Sequence, residues 1–390
     1  MTTNTKVDSP FCTVVTKTDE FESLRDSWAD FSGDNVFMSW EWLSNWWNSY
    51  SLGRQLCVIL VRDPQGQPIG ALPLYKTVNS VGTRVLSLMA NGKACSDYVG
   101  VVCDPKNQKL VERTAAQAIM SNPQVRVQIG RWDSIELEGH SANQLNVFKS
   151  TLQEHGCRIL QNELEGCWNT ILPDSYQEFE SDLKKYFRRK TRKAEKRIED
   201  ERFKFILHQS PEQIDQVWSV FCELHQRRRE TLGDAGCFTS DRFSEFLRSA
   251  TMDLAKKRKV SLIQSTFEDQ DLGFLLLFKS ANRLWMYQSG FNVDQMKLEP
   301  GHLLVTWAIK HAIESGVEEF DFLRGDESYK RFWNTTRIPV FNSKIVAPTI
   351  SARLKHNVWL AGKSVKDQLL QRQDTQPTIL SADTPLETDK

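Results

Sequence analysis

Residues with the means to do chemistry are bunched at Arg324-Gly325-Asp326-Glu327-Ser328-Tyr329-Lys330, directly behind the apolar run Val317–Leu323. Asp326 and Glu327 are candidate proton acceptors, and Tyr329 can give or take a proton. Arg324 and Lys330 can hold a phosphate or carboxylate, the arginine through a bidentate fork. Charges behind an apolar strand are costly to keep near a core, so they point to function. A structural reading stands beside it: the two carboxylates pair with Arg324, Lys330 or Arg331 and order the loop. Upstream, Pro300-Gly301-His302-Leu303 opens a helix, because proline's missing N–H is an orphan at the first helical position anyway. A helix start offers free amides and a positive dipole end to an anion, although Pro-Gly also serves as a plain cap.

These residues are positioned by a strand–helix–strand unit. Leu284–Phe291 is apolar and aromatic, as a buried strand should be. Leu303, Leu304, Trp307, Ala308, His311 and Ala312 recur at helical spacing, and Gly316 can end that helix in a left-handed cap. Val317–Leu323 then returns as a strand. A polar loop beyond a strand end and a helix start are where β-α-β architecture commonly binds ligands.

The chain has 390 residues, 40% of them apolar, with Lys plus Arg and Asp plus Glu equal at 50 each. Length suggests two or three domains, and any attraction to nucleic acid or membrane must be local. Eight scattered cysteines, without a C-x-x-C pair, fit reduced thiols rather than a disulfide framework or zinc. The first ten residues are polar, and no apolar run approaches the roughly 18 residues of a membrane span, so a cytoplasmic location is expected. No G-x-S-x-G, P-loop or H-E-x-x-H motif is present. His225 reads as a helix-face residue, and His302 as an anion donor or an exposed side chain.

The first half predicts strands at Phe11–Val15, Gln55–Arg62, Ile69–Val78, Arg84–Ala90 and Asp97–Val102. Helices are expected over residues 19–31, Trp40–Tyr50, Lys109–Met120 and Leu145–His155, with Val125–Ile129 and Ser134–Leu137 extended. Leu43, Trp46, Trp47 and Tyr50 form an aromatic stripe, either core or substrate wall. Ile69–Lys76 matches Leu272–Lys279 at an offset of 203 residues, and Phe37-x-Ser39 recurs as Phe238-x-Ser240. Ordered matches over this span predict two related α/β units. Between them Leu183–Arg197 carries nine lysines or arginines against one glutamate. It is either a solvated helix or a surface for an anionic partner: phosphate, tRNA or the inner face of a membrane. Leu354–Leu370 has helical spacing, and the tail from Gln371 is polar enough to be disordered.

PGHLL with its helix and FDFLRGDESYKRFW together resemble the C-terminal half of GNAT-type acyltransferases of the CelD/BcsL-like (cellulose biosynthesis) group, relatives of the FemAB aminoacyl transferases. FMSWEWLSNWW, YFRRKTRKAEKR and YQSGF resemble that group too, so the likeness runs over about residues 35–335. The resemblance implies an α/β fold of two tandem GNAT-like (acyl-CoA N-acyltransferase) units, with mixed central sheets flanked by helices. Boundaries are expected at 1–170, a basic linker 171–202, the acyltransferase unit 203–350, and a tail 351–390. It implies transfer of an acyl group, acetyl foremost, from acyl-CoA to an amine or hydroxyl of a sugar, lipid or peptide, without a metal. The FemAB branch implies aminoacyl-tRNA as donor instead, and a decayed, non-catalytic binding module is a third reading. In the family's geometry the donor lies between two splayed strands, here Leu284–Phe291 and Val317–Leu323. The amides of Gly301, His302 and Leu303 would face its pyrophosphate. Only Gly301 stands for the signature Q/R-x-x-G-x-G/A. Tyr287 and Gln288 would line the acyl group, although strand alternation can turn Tyr287 into the core. Glu327 or Asp326 would be the base and Tyr329 the acid.

Overall fold

The computed structural model describes residues 9–360. The first sheet comprises β1 (Phe11–Val15), β2 (Gln55–Arg62), β3 (Pro68–Val78), β4 (Arg84–Leu88), β5 (Val102–Cys103), β6 (Ser134–Ser141) and β7 (Arg158–Glu163). Helices α1 (Thr18–Glu22), α2 (Arg25–Phe31), α3 (Trp40–Tyr50), α4 (Gln108–Ser121), α5 (Pro123–Ile129) and α6 (Asn146–Glu154) flank it. The second half runs β8 (Cys167–Ile171), α7 (Tyr176–Asp182), α8 (Lys185–Ile198), β9 (Phe203–His208), α9 (Pro211–Thr231), α10 (Asp241–Lys256) and β10 (Val260–Phe267). It continues through β11 (Gln270–Lys279), β12 (Arg283–Phe291), α11 (Pro300–Glu314), β13 (Glu319–Arg324), β14 (Thr336–Ile338) and β15 (Val340–Val346).

The two sheets share one plan. The first reads β1-β2-β3-β4-β6-β15-β7, with β5 on β3; the second reads β9-β10-β11-β12-β13-β8-β14. Each is antiparallel except for one central parallel pair, β4 with β6 and β12 with β13. The 203-residue offset lays β2 on β10 and β3 on β11, and the Phe-x-Ser segments each precede a helix, α3 and α10. The units also trade a strand. β8 inserts between β13 and β14, whereas β15 returns to lie between β6 and β7. The sheets therefore divide the chain otherwise than at 170 and 203–350: residues 167–171 sit in the second sheet and residues 340–346 in the first.

Local chemistry explains most element starts. The Ser39 hydroxyl accepts from the Trp42 amide at 3.3 Å, and Ser210 forms a capping box with Gln213 ahead of Pro211. Val125–Ile129, expected to be extended, is helical: Asn122 accepts from the Gln124 and Val125 amides and Pro123 stands at the first position. Asp97–Val102 is not a strand, and only Val102–Cys103 pairs, with β3. Residues 350–360 are helical, while the rest of the expected 354–370 helix and the polar tail lie outside the described residues.

The aromatic stripe is core. Trp42 and Trp46 are fully buried. Trp46 stacks on Tyr50 at 5.5 Å, while Trp42 meets Phe246, Phe278 and Tyr287 of the second unit edge-on at 4.8–5.4 Å. Both faces of α3 are thus occupied, and one hydrophobic cluster runs from Val14 in β1 through Phe278 in β11. Truncating Trp42 would empty a buried indole at a cost of about 3–5 kcal/mol.

Candidate active site

The parallel pair β12–β13 is short. Only Arg283, Leu284 and Trp285 face Glu319, Phe320 and Asp321; beyond them the strands part. A bulge in β12 leaves Tyr287 as the extra residue between Met286 and Gln288, and another in β13 falls between Asp321 and Arg324. Leu323 sits at φ +58°, an uncommon conformation for a branched side chain and one associated with functional sites. The Asn292 amide donates to the Leu272 carbonyl at 3.0 Å, which sets the phase of the β11–β12 ladder. Bonded and unbonded pairs alternate in such a ladder, so Ser289 and Phe291 turn their N–H and C=O groups away from β11.

Helix α11 starts at the same end of β12. A Cβ on Gly301 would stand 3.2 Å from the Phe291 ring. Leu303 N donates to Glu299 O, whereas the Gly301 and His302 amides have no partner among the described residues. His302 does not point outward. Its ring stacks on Trp333 at 4.8 Å with Nε2 3.5 Å from Thr191 Oγ1, and burial lowers its pKa to about 4. Leu303 is buried. Glu299 lies beside the helix start, 2.8 Å from Lys190, 3.7 Å from Arg197 and 4.0 Å from Lys193 of α8. The Lys190 bond holds its carboxyl below the ordinary range.

The Arg324–Lys330 loop splits into parts that face different ways. Lys330 is buried, and its Nζ donates to the carbonyls of Leu323, Arg324 and Gly325 at 2.8–3.1 Å, with Glu327 Oε2 at 2.9 Å. An ammonium has three donors, so this one is committed to shaping the loop rather than to a substrate. Arg324 Nε donates to Asp97 Oδ1 at 2.7 Å and Nη2 to Ser96 O at 3.2 Å, which ties it to the first unit. Asp326 accepts from Trp168 Nε1 at 3.0 Å and Arg337 Nε at 3.3 Å, on the β8–β14 side of the loop. Glu327 is exposed. Tyr329 packs edge-on against Phe322, and its hydroxyl has no protein partner among the described residues. Burial pushes its pKa up, as does the Glu327 carboxylate, against the opposing charges of Arg228 and Arg229. Arg228 lies 5.0 Å over the Phe291 ring at the end of β12. Tyr329 and Arg228 therefore bracket the mouth of the gap, one behind each strand.

Tyr287 belongs to the interface between units. Its hydroxyl donates to Ala94 O at 2.9 Å and its ring packs on Phe37, Trp42 and Phe278. Gln288 remains at the gap, its Nε2 3.7 Å from Cys237 Sγ. At the root of the gap stands a buried cluster absent from the residues singled out in the sequence. Asp321 accepts from Tyr98 Oη at 2.7 Å and from Leu323 N at 2.8 Å, and burial raises its pKa to about 7. Asp97 is likewise pushed up by burial, against the pull of Arg324. The visible signal was an aspartate inside an apolar strand, Phe320-Asp321-Phe322. A hollow of about 780 Å³ lies elsewhere, by Arg126 and Trp132 of the first unit and Pro348 of the segment after β15.

Residues 181–331 match the family model described as "Acetyltransferase (GNAT) domain". No curated protein matches the sequence. Among solved structures the chain is similar to FemX, with a TM-score of 0.59 and 13% identity over 88% of this chain and 99% of that one. It is also similar to L-PGS from Bacillus licheniformis, with a TM-score of 0.51 and 10% identity over 87% and 95% of the two chains. The structure described as "C-terminal Domain (DUF2156) of Putative Lysylphosphatidylglycerol Synthetase from Agrobacterium fabrum" gives 0.51 and 9% over 87% and 95%. These likenesses concern fold. The matched residues 181–331 hold the parted strands, and the first unit repeats their strand order, so the chain carries a region similar to a GNAT acetyltransferase domain within a doubled sheet plan.

Proposed function

We propose that the second unit moves an acyl group from a donor lying between β12 and β13 to an amine or hydroxyl entering from the cleft beside the first unit. One observation carries this reading: the strands part after Trp285 and Asp321, and the unpartnered Gly301 and His302 amides stand at the open end. The donor is an acyl-CoA, acetyl-CoA foremost. Its pyrophosphate would lie on those amides with the helix dipole behind them, and would compete with Glu299 for Lys190, Lys193 and Arg197. Tyr329, its hydroxyl free and its proton retained by burial, protonates the departing thiolate. Glu327 takes the acceptor's proton through water. Asp326, Arg324 and Lys330 shape the loop. The acceptor class, a sugar, lipid or peptide as in CelD/BcsL-like polysaccharide enzymes, rests on the sequence resemblance, whereas a cytoplasmic location rests on the polar first residues, the scattered cysteines and the short apolar runs. Calorimetric titration with acetyl-CoA and longer acyl-CoAs is the test. Saturable heat that disappears when Gly301 is replaced by a bulky residue supports the reading, and absence of heat with every chain length removes acyl-CoA.

A second donor is favoured by a different observation. Lys185, Arg189, Lys193 and Lys196 are exposed along α8 beside Tyr186, and among the described residues Lys193 alone of the four nears a carboxylate, at 4.0 Å. Such a ridge suits the acceptor end of a charged tRNA. It predicts that tRNA affinity falls steeply with salt, with a shallower slope once these four are changed to glutamine.

A further inference from the structure

We infer that Cys237 is an acyl-accepting nucleophile, with His225 as its base and the Gln288 side-chain amide as donor to the reacting carbonyl oxygen. The inference rests on the acyl-transfer reading and adds to it a covalent intermediate, with His225 passing its proton on through Tyr329 to the leaving group and receiving the acceptor's proton by way of Glu327. Cys237 lies on the turn between α9 and α10, His225 on α9, and Gln288 on β12 next to the bulge, so three elements converge on the edge of the gap.

The geometry fixes each role. His225 Nδ1 lies 2.9 Å from the Ser289 carbonyl oxygen, which can only accept. Nδ1 must therefore carry the proton, and the lone pair of Nε2 faces Cys237 Sγ at 3.3 Å. Ser289 O is free to orient the imidazole because the ladder phase turns it away from β11. Gly290 makes the approach of α9 possible, since a Cβ there would stand 2.8 Å from His225 N and Phe221 O. Phe238 meets the His225 ring edge-on at 5.0 Å and fixes it from another side. Gln288 Nε2, at 3.7 Å from the sulfur, is one atom's reach from where an acyl oxygen would sit when its carbon is bonded to Sγ. Burial lowers the basicity of His225 and holds the thiol up to about 12, so the resting pair is neutral. The proton must then move during attack, as it does for a serine with a neutral histidine.

In the first half-reaction the Sγ–acyl bond forms as the thiol proton passes to His225 Nε2. The donor's acyl–sulfur bond, or acyl–oxygen bond for an ester, breaks and its leaving group takes that proton. In the second, the acceptor amine or hydroxyl attacks the Cys237 thioester and gives its proton to His225. The thiolate of Cys237 leaves and recovers the proton. No oxidant, reductant or further reactant is needed.

The test uses the full chain with p-nitrophenyl acetate and, separately, acetyl-CoA and octanoyl-CoA, followed by quenching and peptide mass mapping. The expected result is a hydroxylamine-labile acyl group on Cys237, absent in Cys237→Ser and formed about 100-fold more slowly in His225→Gln. Thermal melting of both variants confirms that they fold. Labelling by the ester without any binding of the CoA thioesters supports the nucleophile and sinks the CoA donor. Binding and turnover of a thioester with Cys237 unlabelled, or with Cys237→Ser as active as wild type, overturns the inference and leaves the acyltransferase reading standing. A folded protein whose Cys237 resists every one of these reagents overturns it as well.

Discussion

The two units build the same sheet and finish it differently. In the first, β4 and β6 pair over Val85–Ser87 and Ser134–Glu136, and the space beyond is closed by the unit's own chain together with Arg324 of the second unit. Val99 N donates to Gly139 O at 3.3 Å, and Ser96 O lies within 2.5 Å of where a Gly139 Cβ would be. Helix α4, which stands between β4 and β6 as α11 stands between β12 and β13, is entered through a turn of the same unit in which Asp104 accepts from the Lys106 amide at 3.0 Å and Gln108 N donates to Pro105 O. In the second, β12 and β13 part beyond their three paired residues, and the Gly301 and His302 amides are left without partners among the described residues. The last residue of β6 paired with β4 is Glu136, bonded to Lys344 at 2.9 Å; its counterpart in β13 is the buried Asp321. One copy satisfies its strand edges and helix starts internally and is a scaffold. The other leaves them open, and an unsatisfied polar edge at a helix start is where a ligand gains most.

The contrast can be broken most severely at Tyr329. Replacing it with phenylalanine should lower acyl transfer by about 10²–10⁴-fold with little change in melting temperature, because the lost hydroxyl holds nothing in place. Unchanged turnover would return the second loop to the scaffold class. A smaller effect separates Asp321 from Glu136. With its pKa raised to about 7 by burial, Asp321 keeps a proton in the native protein that the unfolded chain releases above about pH 4. This contribution is full below that pH, declines as pH rises towards 7, and is constant above it. Denaturant melts should show the wild type losing up to ~4 kcal/mol relative to Asp321→Asn across that window. A difference that stays flat with pH would mean that the carboxyl is ionised throughout.

Gly139 tests the closure of the first unit. Alanine there combines φ +80° with the backbone oxygen of Ser96 at 2.5 Å and Arg324 Nη2 at 2.7 Å, and should cost about 2–3 kcal/mol. Gly316→Ala, at φ +71° with nothing within 4 Å, should cost only about 1 kcal/mol. Equal losses would show that the 96–99 segment yields easily and that the first gap is not firmly filled. Least of all, Tyr98→Phe removes one donor from Asp321 and should cost about 1–2 kcal/mol in equilibrium unfolding.

Much of the second unit was legible because its signals are local: Pro300 and Gly316 bracket α11, and apolar runs mark β12 and β13. The repeat Ile69–Lys76 over Leu272–Lys279 carried the doubled plan for the same reason, since buried central strands must stay apolar in both copies. Partnerships set by the fold were not legible. Arg324 reads as a ligand-binding arginine until Asp97, far back in the chain, is placed against it. Lys330 reads as a free cation, yet the backbone it clamps is its own loop in a conformation that periodicity cannot express. His225 looked like surface because its neighbours on α9 are charged. The tight Gly290 approach brings it to Ser289 and Cys237.

The trade of β8 for β15 sets an order on synthesis. The ribosome completes β1 to β7 while the strand that must lie between β6 and β7 is still uncoded at residues 340–346. Until then the first sheet offers two interior edges to any other extended segment, so the nascent chain needs protection over almost its whole length. For the same reason neither half, cut at the 163–167 connection, should survive as an independent domain.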